Sequence, residues 1–183
     1  MKRFFDITFS LLGLILMSPV LLIFVILIWA QDFHSPLYVA PRIGRYGRIF
    51  SMIKLRSMVA GADKTGVDST SASDERITWV GHLIRKYKLD EFSQLWNVLK
   101  GDMSLVGPRP NVEREVVLYT DEERHLLDVR PGVTDLASIV FSDEGEILAG
   151  SEDPDVRTIK SFGPGRAGLD CFMLKNVTCY LIS

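Results

Sequence analysis

The chain has 183 residues, enough for one compact domain and not comfortably for two. It is 47% hydrophobic and 24% charged with a mean hydropathy of +0.16, which excludes a disordered tail and is too apolar for an ordinary cytosolic domain. A formal charge of −2 argues against a general nucleic-acid binder, and two cysteines, Cys171 and Cys179, make neither a disulfide framework nor a zinc site.

The apolar excess is concentrated at the start. Ile7 to Gln31 is a run of 25 residues without a charge. Without its first 31 residues the chain carries 19 basic and 22 acidic side chains, an ordinary balance. The protein is therefore expected to work attached to a membrane. The run exceeds the roughly 7–15-residue apolar core of a secretory signal and passes the about 20 residues that a spanning helix needs. Two details compete with plain spanning. Pro19 lies at the midpoint behind Ser18, where proline removes one helical hydrogen bond and a serine hydroxyl can take the freed carbonyl. Basic residues also stand on both sides, Lys2 and Arg3 before and Arg42, Arg45 and Arg48 after, whereas one basic flank is usual. On the residues alone, a spanning helix and a helix–break–helix that re-enters from one face both stay open.

Leu37–Ala40 and Ile49–Ile53 are β-favouring runs around the turn Gly44-Arg-Tyr-Gly47, a predicted hairpin followed by Lys54-Leu55-Arg56. Residues 59–76 are small and polar and read as a loop. Phe92, Leu95, Trp96 and Leu99 recur at helical spacing, with Asp90-Glu91 suiting the helix start and Lys100-Gly101 its end. Gly107-Pro108-Arg109-Pro110 must be a stiff turn. Residues 112–129 read as a surface helix broken by Arg130-Pro131-Gly132, and 143–157 are acidic.

Asp90 and Glu91 have two readings. They are caps that complement a helix dipole, or a pair in which one carboxylate attacks an electrophile while the other holds a divalent cation. Arg85 precedes them by five and six residues, a reach that can close over a phosphate. Lys54 and Arg56 alternate at a strand end and can share a face, and Arg109 is fixed between two prolines. Each alone is as well explained as a solvated charge. Together with a membrane anchor they point to phosphate chemistry on a lipid. No nucleotide-binding glycine loop is present, and His34, His82 and His125 lack metal-ligand spacing.

The stretch from Ile84 to Pro110, with Lys54-Leu-Arg-Ser-Met58 and Val129-Arg-Pro-Gly-Val-Thr134, closely resembles the bacterial sugar transferases. These are the monotopic polyprenyl-phosphate phosphoglycosyl transferases, here in a minimal catalytic form. The resemblance implies an α+β, mostly helical fold with a small β-hairpin and interfacial helices. Residues 1–31 would form a re-entrant membrane helix broken at Ser18-Pro19, and 32–183 a catalytic domain on the cytoplasmic face of the bacterial inner membrane. It implies transfer of a phospho-sugar from a UDP-sugar to undecaprenyl phosphate with release of UMP, the first membrane step of surface polysaccharide or glycoconjugate assembly. By the same resemblance Asp90 is the nucleophile, forming a covalent aspartyl phosphosugar. Glu91 acts beside it, Mg2+ is held at Asp90 and Glu91, and Lys54, Arg56, Arg85 and Arg109 hold phosphates. Membrane lipid is a partner, nucleic acid is not, and a homodimer stays open. Ser93 stands where many members have proline, Asp135 stands where glycine is common, and about the last 25 residues depart from the pattern. The alternatives are a catalytically impaired membrane adaptor of the same fold and a membrane-bound phosphatase. The sugar is not legible, and its selection is expected from 59–76 and from the region after 133.

Overall fold

The computed structural model describes residues 1–62 and 74–135. Most of the 59–76 loop, the region after 135 that was expected to help select the sugar, the acidic run, both cysteines and the atypical end lie outside the described residues. Helix α1 (Lys2–Asp32) carries the apolar run, and its length and composition are sufficient for crossing a membrane. The break expected at Ser18-Pro19 does not appear, and the helix continues through Pro19. Proline leaves the carbonyl four residues back without its helical partner, and the Ser18 hydroxyl donates to that carbonyl, Ile15, at 2.8 Å. Phe33 ends the helix in the left-handed region, φ 57°, its N–H donating to the Trp29 carbonyl.

The hairpin forms with longer arms than expected. β1 (Leu37–Ile43) and β2 (Ile49–Leu55) are antiparallel from Leu37 opposite Leu55 to Ile43 opposite Ile49. Tyr46 and Gly47 turn the chain with φ of 59° and 71°. The predicted single helix around Phe92–Leu99 is two short ones, α3 (Leu89–Ser93) and α4 (Leu95–Lys100), preceded by α2 (Trp79–Lys86). Thr78 caps α2, its hydroxyl accepting from the Gly81 N–H at 3.0 Å. Gly101 ends α4 at φ 97°. The expected stripe is not the buried one throughout. Trp96 is half-exposed, whereas Asn97 and Val98 are fully buried. β3 (Ser104–Val106) pairs in parallel with β4 (Gly132–Thr134). Between them the expected long helix reduces to α5 (Glu113–Val116) and a 3-10 turn at Glu123–Asp128, because its apolar residues keep no sustained helical period.

Two cores result. Ile28 of α1 packs with Leu55, Val80, Ile84 and Leu89, backed by α1 side chains from Met17 to Leu27. The second joins Ala40 and Met52 of the hairpin to Val98 and Met103. α1 is fastened to this body at both ends. At its start, the Arg3 guanidinium donates to the Val98 and Leu99 carbonyls at 2.6 and 3.0 Å, capping α4, and Lys2 Nζ donates to the Val106 carbonyl. The buried Asp6 carboxylate accepts from the Ser104 hydroxyl and the Leu105 N–H. At its far end, Asp32 and the Ile28 carbonyl accept from the Arg56 guanidinium. Phe5, Phe9, Leu12, Leu16, Ile23 and Ile26 remain exposed along α1, an apolar surface suited to lipid.

A carboxylate pair facing a rim of cations

Asp90 and Glu91 occupy the first turn of α3, as expected. Lys88, the residue before the helix, has φ 51°, a conformation that costs a lysine roughly 1 kcal/mol or more. The turn is held in place by buried polar contacts. The Ser93 hydroxyl lies 2.7 Å from the Asp90 carbonyl and 3.2 Å from the Ile53 carbonyl of β2, so its one proton is shared between them. Asn97 clamps the same strand, its amide donating to the Ser51 carbonyl at 2.7 Å and its oxygen accepting from the Ile53 N–H at 3.0 Å. Neither residue was singled out for this role. A lone polar side chain inside Leu95-Trp-Asn-Val-Leu99 was the available signal, since a buried asparagine must find partners.

Lys54, on β2, brings Nζ to 3.6 Å from Asp90 Oδ2, both side chains being partly buried. Burial lowers the Lys54 pKa and the nearby Asp90 charge opposes that. Glu91 is pushed above the usual carboxylate range, first by burial and then by its neighbour Asp90, while Lys88, Lys54 and Arg109 oppose the rise. Arg85 lies in the last turn of α2, its Nε donating to the Ser57 hydroxyl at 3.1 Å, and its charge interacts with Asp90. Burial shifts Arg85 downward. α2 can approach the backbone beyond β2 because residue 81 is glycine. A Cβ there would stand 1.8 Å from the Ser57 carbonyl oxygen.

Arg109 is exposed in a turn fastened from both sides. The Gly132 N–H donates to the Pro108 carbonyl at 2.9 Å and the Gly107 N–H to the Thr134 carbonyl at 3.1 Å. Cβ atoms at Gly107 and Gly132 would lie 2.5 Å or less from facing backbone, so the two proline-containing motifs meet main chain to main chain. A shallow crevice between Gly44, Pro108, Asn111 and Tyr119 opens beside Arg109.

Lys54, Arg85 and Arg109 are thus brought towards Asp90 and Glu91. Arg56 goes elsewhere. β2 ends at Leu55, the alternation with Lys54 ends with it, and the nearly buried guanidinium grips Asp32 of α1. Ser18 and Pro19 lie within α1.

Two adjacent carboxylates, one of them raised by burial and then by its neighbour, could hold a divalent cation that completes its shell with phosphate oxygens. Among the described residues no group of three acidic, histidine or cysteine side chains gathers, at this pair or elsewhere.

The family model for bacterial sugar transferases matches residues 1–163. The UDP-galactose-lipid carrier transferase of Erwinia amylovora is 38% identical over 74% of this chain and 31% of its own length. The undecaprenyl-phosphate galactose phosphotransferase of Salmonella typhimurium is 36% identical over 98% of this chain and 37% of its own. A third relative, the UDP-N-acetylgalactosamine-undecaprenyl-phosphate N-acetylgalactosaminephosphotransferase of Aeromonas hydrophila, is 37% identical over 76% and 34%. The chain spans about a third of the length of these relatives.

Proposed function

Because the chain belongs to the bacterial sugar transferase family, we propose that it moves a sugar 1-phosphate from a UDP-sugar to undecaprenyl phosphate and releases UMP. The observation that carries this reading is the Asp90 carboxylate at a strained helix start, loosely held by Lys54 and ringed by further cations. A carboxylate so placed is partly exposed and available to attack.

In the first step an Asp90 oxygen attacks the phosphorus that bears the sugar. The bond from that phosphorus to the bridging oxygen breaks, and UMP leaves with the electron pair. An aspartyl phosphosugar remains. In the second step an oxygen of undecaprenyl phosphate attacks the same phosphorus and frees Asp90. Lys54, Arg85 and Arg109 offset charge on the phosphoryl oxygens in both steps. A bound Mg2+, held by Asp90 and Glu91, would neutralise phosphate charge.

The proposed setting is the cytoplasmic face of the bacterial inner membrane, with both ends of α1 on that face. What supports it is that α1 is tied to one body through Arg3 and Asp6 at its start and Asp32 at its end. Thirty-one helical residues extend about 45 Å, so ends on opposite sides of the bilayer would pull that body into hydrocarbon. A cysteine placed before Lys2 and a Ser35→Cys variant should both be labelled only from the cytoplasm. Labelling of one from each side would overturn this topology. The function itself is tested with Asp90→Asn. Its release of UMP from UDP-sugar and undecaprenyl phosphate should vanish, and appreciable turnover would refute Asp90 as nucleophile.

A further inference from the structure

Asp6 is the last charged residue before the apolar run of α1, and it is nearly buried, only 5% exposed. A buried carboxyl group must find donors, and this one finds them on β3. Its two oxygens stand 3.1 and 3.0 Å from the Ser104 hydroxyl, and one of them accepts from the Leu105 N–H at 3.1 Å. Successive main-chain groups of a strand face opposite edges. On the other edge the Ser104 N–H donates to the Pro131 carbonyl at 2.9 Å, where β3 pairs with β4. β3 is therefore held between the membrane helix and β4.

Gly107-Pro108-Arg109 follows β3 directly. Its prolines fix φ, and Gly107 and Pro108 are bonded to Thr134 and Gly132, so β3, β4 and the turn that carries Arg109 form one stiff unit. Two contacts hold that unit against the helices: Asp6 on β3, and the Arg130 Nε donating to the Gly101 carbonyl at 2.8 Å. Two holds fix an orientation that one would leave free to swing. The Asp90 turn is tied separately, through Ser93 to β2. The seat of the unit on α1 thus governs where Arg109 stands relative to the carboxylates.

We propose that Asp6 is a positioning residue for binding of the nucleotide-sugar diphosphate, acting through β3 on Arg109. The residue at which α1 enters its apolar run also sets the phosphate-binding turn, so a displaced membrane helix displaces Arg109. This assignment rests on the transferase function proposed above.

The test is equilibrium binding of UDP and of inorganic pyrophosphate to the full chain in detergent micelles at constant Mg2+, in a double-mutant cycle. Arg109→Ala should weaken both by roughly tenfold to a hundredfold, the loss expected for one charge-assisted contact. Asp6→Ala should weaken both by about tenfold, and Asp6→Asn, which keeps an acceptor oxygen for the Leu105 N–H, should recover most of that loss. In the Arg109→Ala background Asp6→Ala should cost nothing further, a non-additivity that a purely structural role would not produce. Arg3→Ala removes bonds from the same end of α1 to α4 instead and should leave both affinities unchanged. Undiminished binding by folded Asp6→Ala overturns the assignment, and so does an equal loss from Asp6→Ala with and without Arg109, or an equal loss in Arg3→Ala. Should Asp6→Ala not fold, Ser104→Ala, which removes one of its two partners, must show the same coupling to Arg109, and unchanged binding there overturns the assignment equally. Undiminished binding by Arg109→Ala overturns it while leaving the transferase reading intact. If the unaltered chain binds neither UDP nor pyrophosphate, the transferase reading falls, and this assignment with it.

Discussion

Lys54 and Arg56 are two residues apart, and each meets an aspartate in a different way. Arg56 holds Asp32 with both guanidinium nitrogens, one at 2.6 Å, and is only 9% exposed. Lys54 meets Asp90 through a single contact at 3.6 Å, with both partners partly open to water. The first pair is bidentate and binds the membrane helix to the hairpin, although Arg56 Nε stays buried without a hydrogen-bond partner. The second is left incompletely neutralised, and burial works against both the Lys54 ammonium and the neighbouring Glu91 carboxylate. The Arg56 guanidinium is committed to the body through two contacts, whereas the Lys54–Asp90 pair is held by one longer contact.

That contrast can be broken by substitution. The largest effect is expected from Asp90→Asn: UMP release should fall by roughly a thousandfold or more, as for loss of a nucleophile, with the unfolding midpoint unchanged. A drop in stability matching the drop in activity would make Asp90 a structural group. Arg56→Ala should do the reverse. It removes two charge-assisted hydrogen bonds to the partly exposed Asp32 and should cost about 1–2 kcal/mol of stability, read by denaturant unfolding, while turnover per folded molecule persists. Gly132→Ala tests the backbone contact that places Arg109. A Cβ 2.2 Å from the Gly107 nitrogen must push the motifs apart, at about 2 kcal/mol, and KM for the UDP-sugar should rise more than kcat falls.

The smallest effect concerns a second bidentate pair. Arg76 donates to both oxygens of Asp74, at 2.7 to 3.2 Å, and this lowers the Asp74 pKa. A depressed carboxylate stabilises the fold above its unfolded pKa and loses that contribution as pH falls through the folded value. Asp74→Asn should therefore cost about 1 kcal/mol near neutrality, and the difference from the unaltered chain should shrink below about pH 4. A difference that grows on acidification would contradict the pairing.

Features written in contiguous residues were legible. The uncharged run, the hairpin turn, the serine serving Pro19's freed carbonyl, the carboxylates opening α3 and Gly101 closing α4 are local, and local rules reach them. What escaped depends on partners far along the chain. Lys2 and Arg3 read as topology signals, yet they cap the main chain of residues 98, 99 and 106. The fate of Arg56 depended on where β2 stops and on Asp32 standing 24 residues earlier. Ser93, noticed as a substitution at a helix start, ties the Asp90 turn to β2. Asn97 was hidden in an apolar stretch because helical spacing reports which residues are apolar, not which buried carbonyls need a donor.

The most direct test is the intact mass of the chain after incubation with a panel of UDP-sugars and no undecaprenyl phosphate. One UDP-sugar should add a single phosphosugar to the peptide containing Asp90. The adduct should be absent in Asp90→Asn and discharged when undecaprenyl phosphate is supplied. Lipid-linked product formed at full rate with no adduct at any time, or an adduct persisting in Asp90→Asn, would contradict the account.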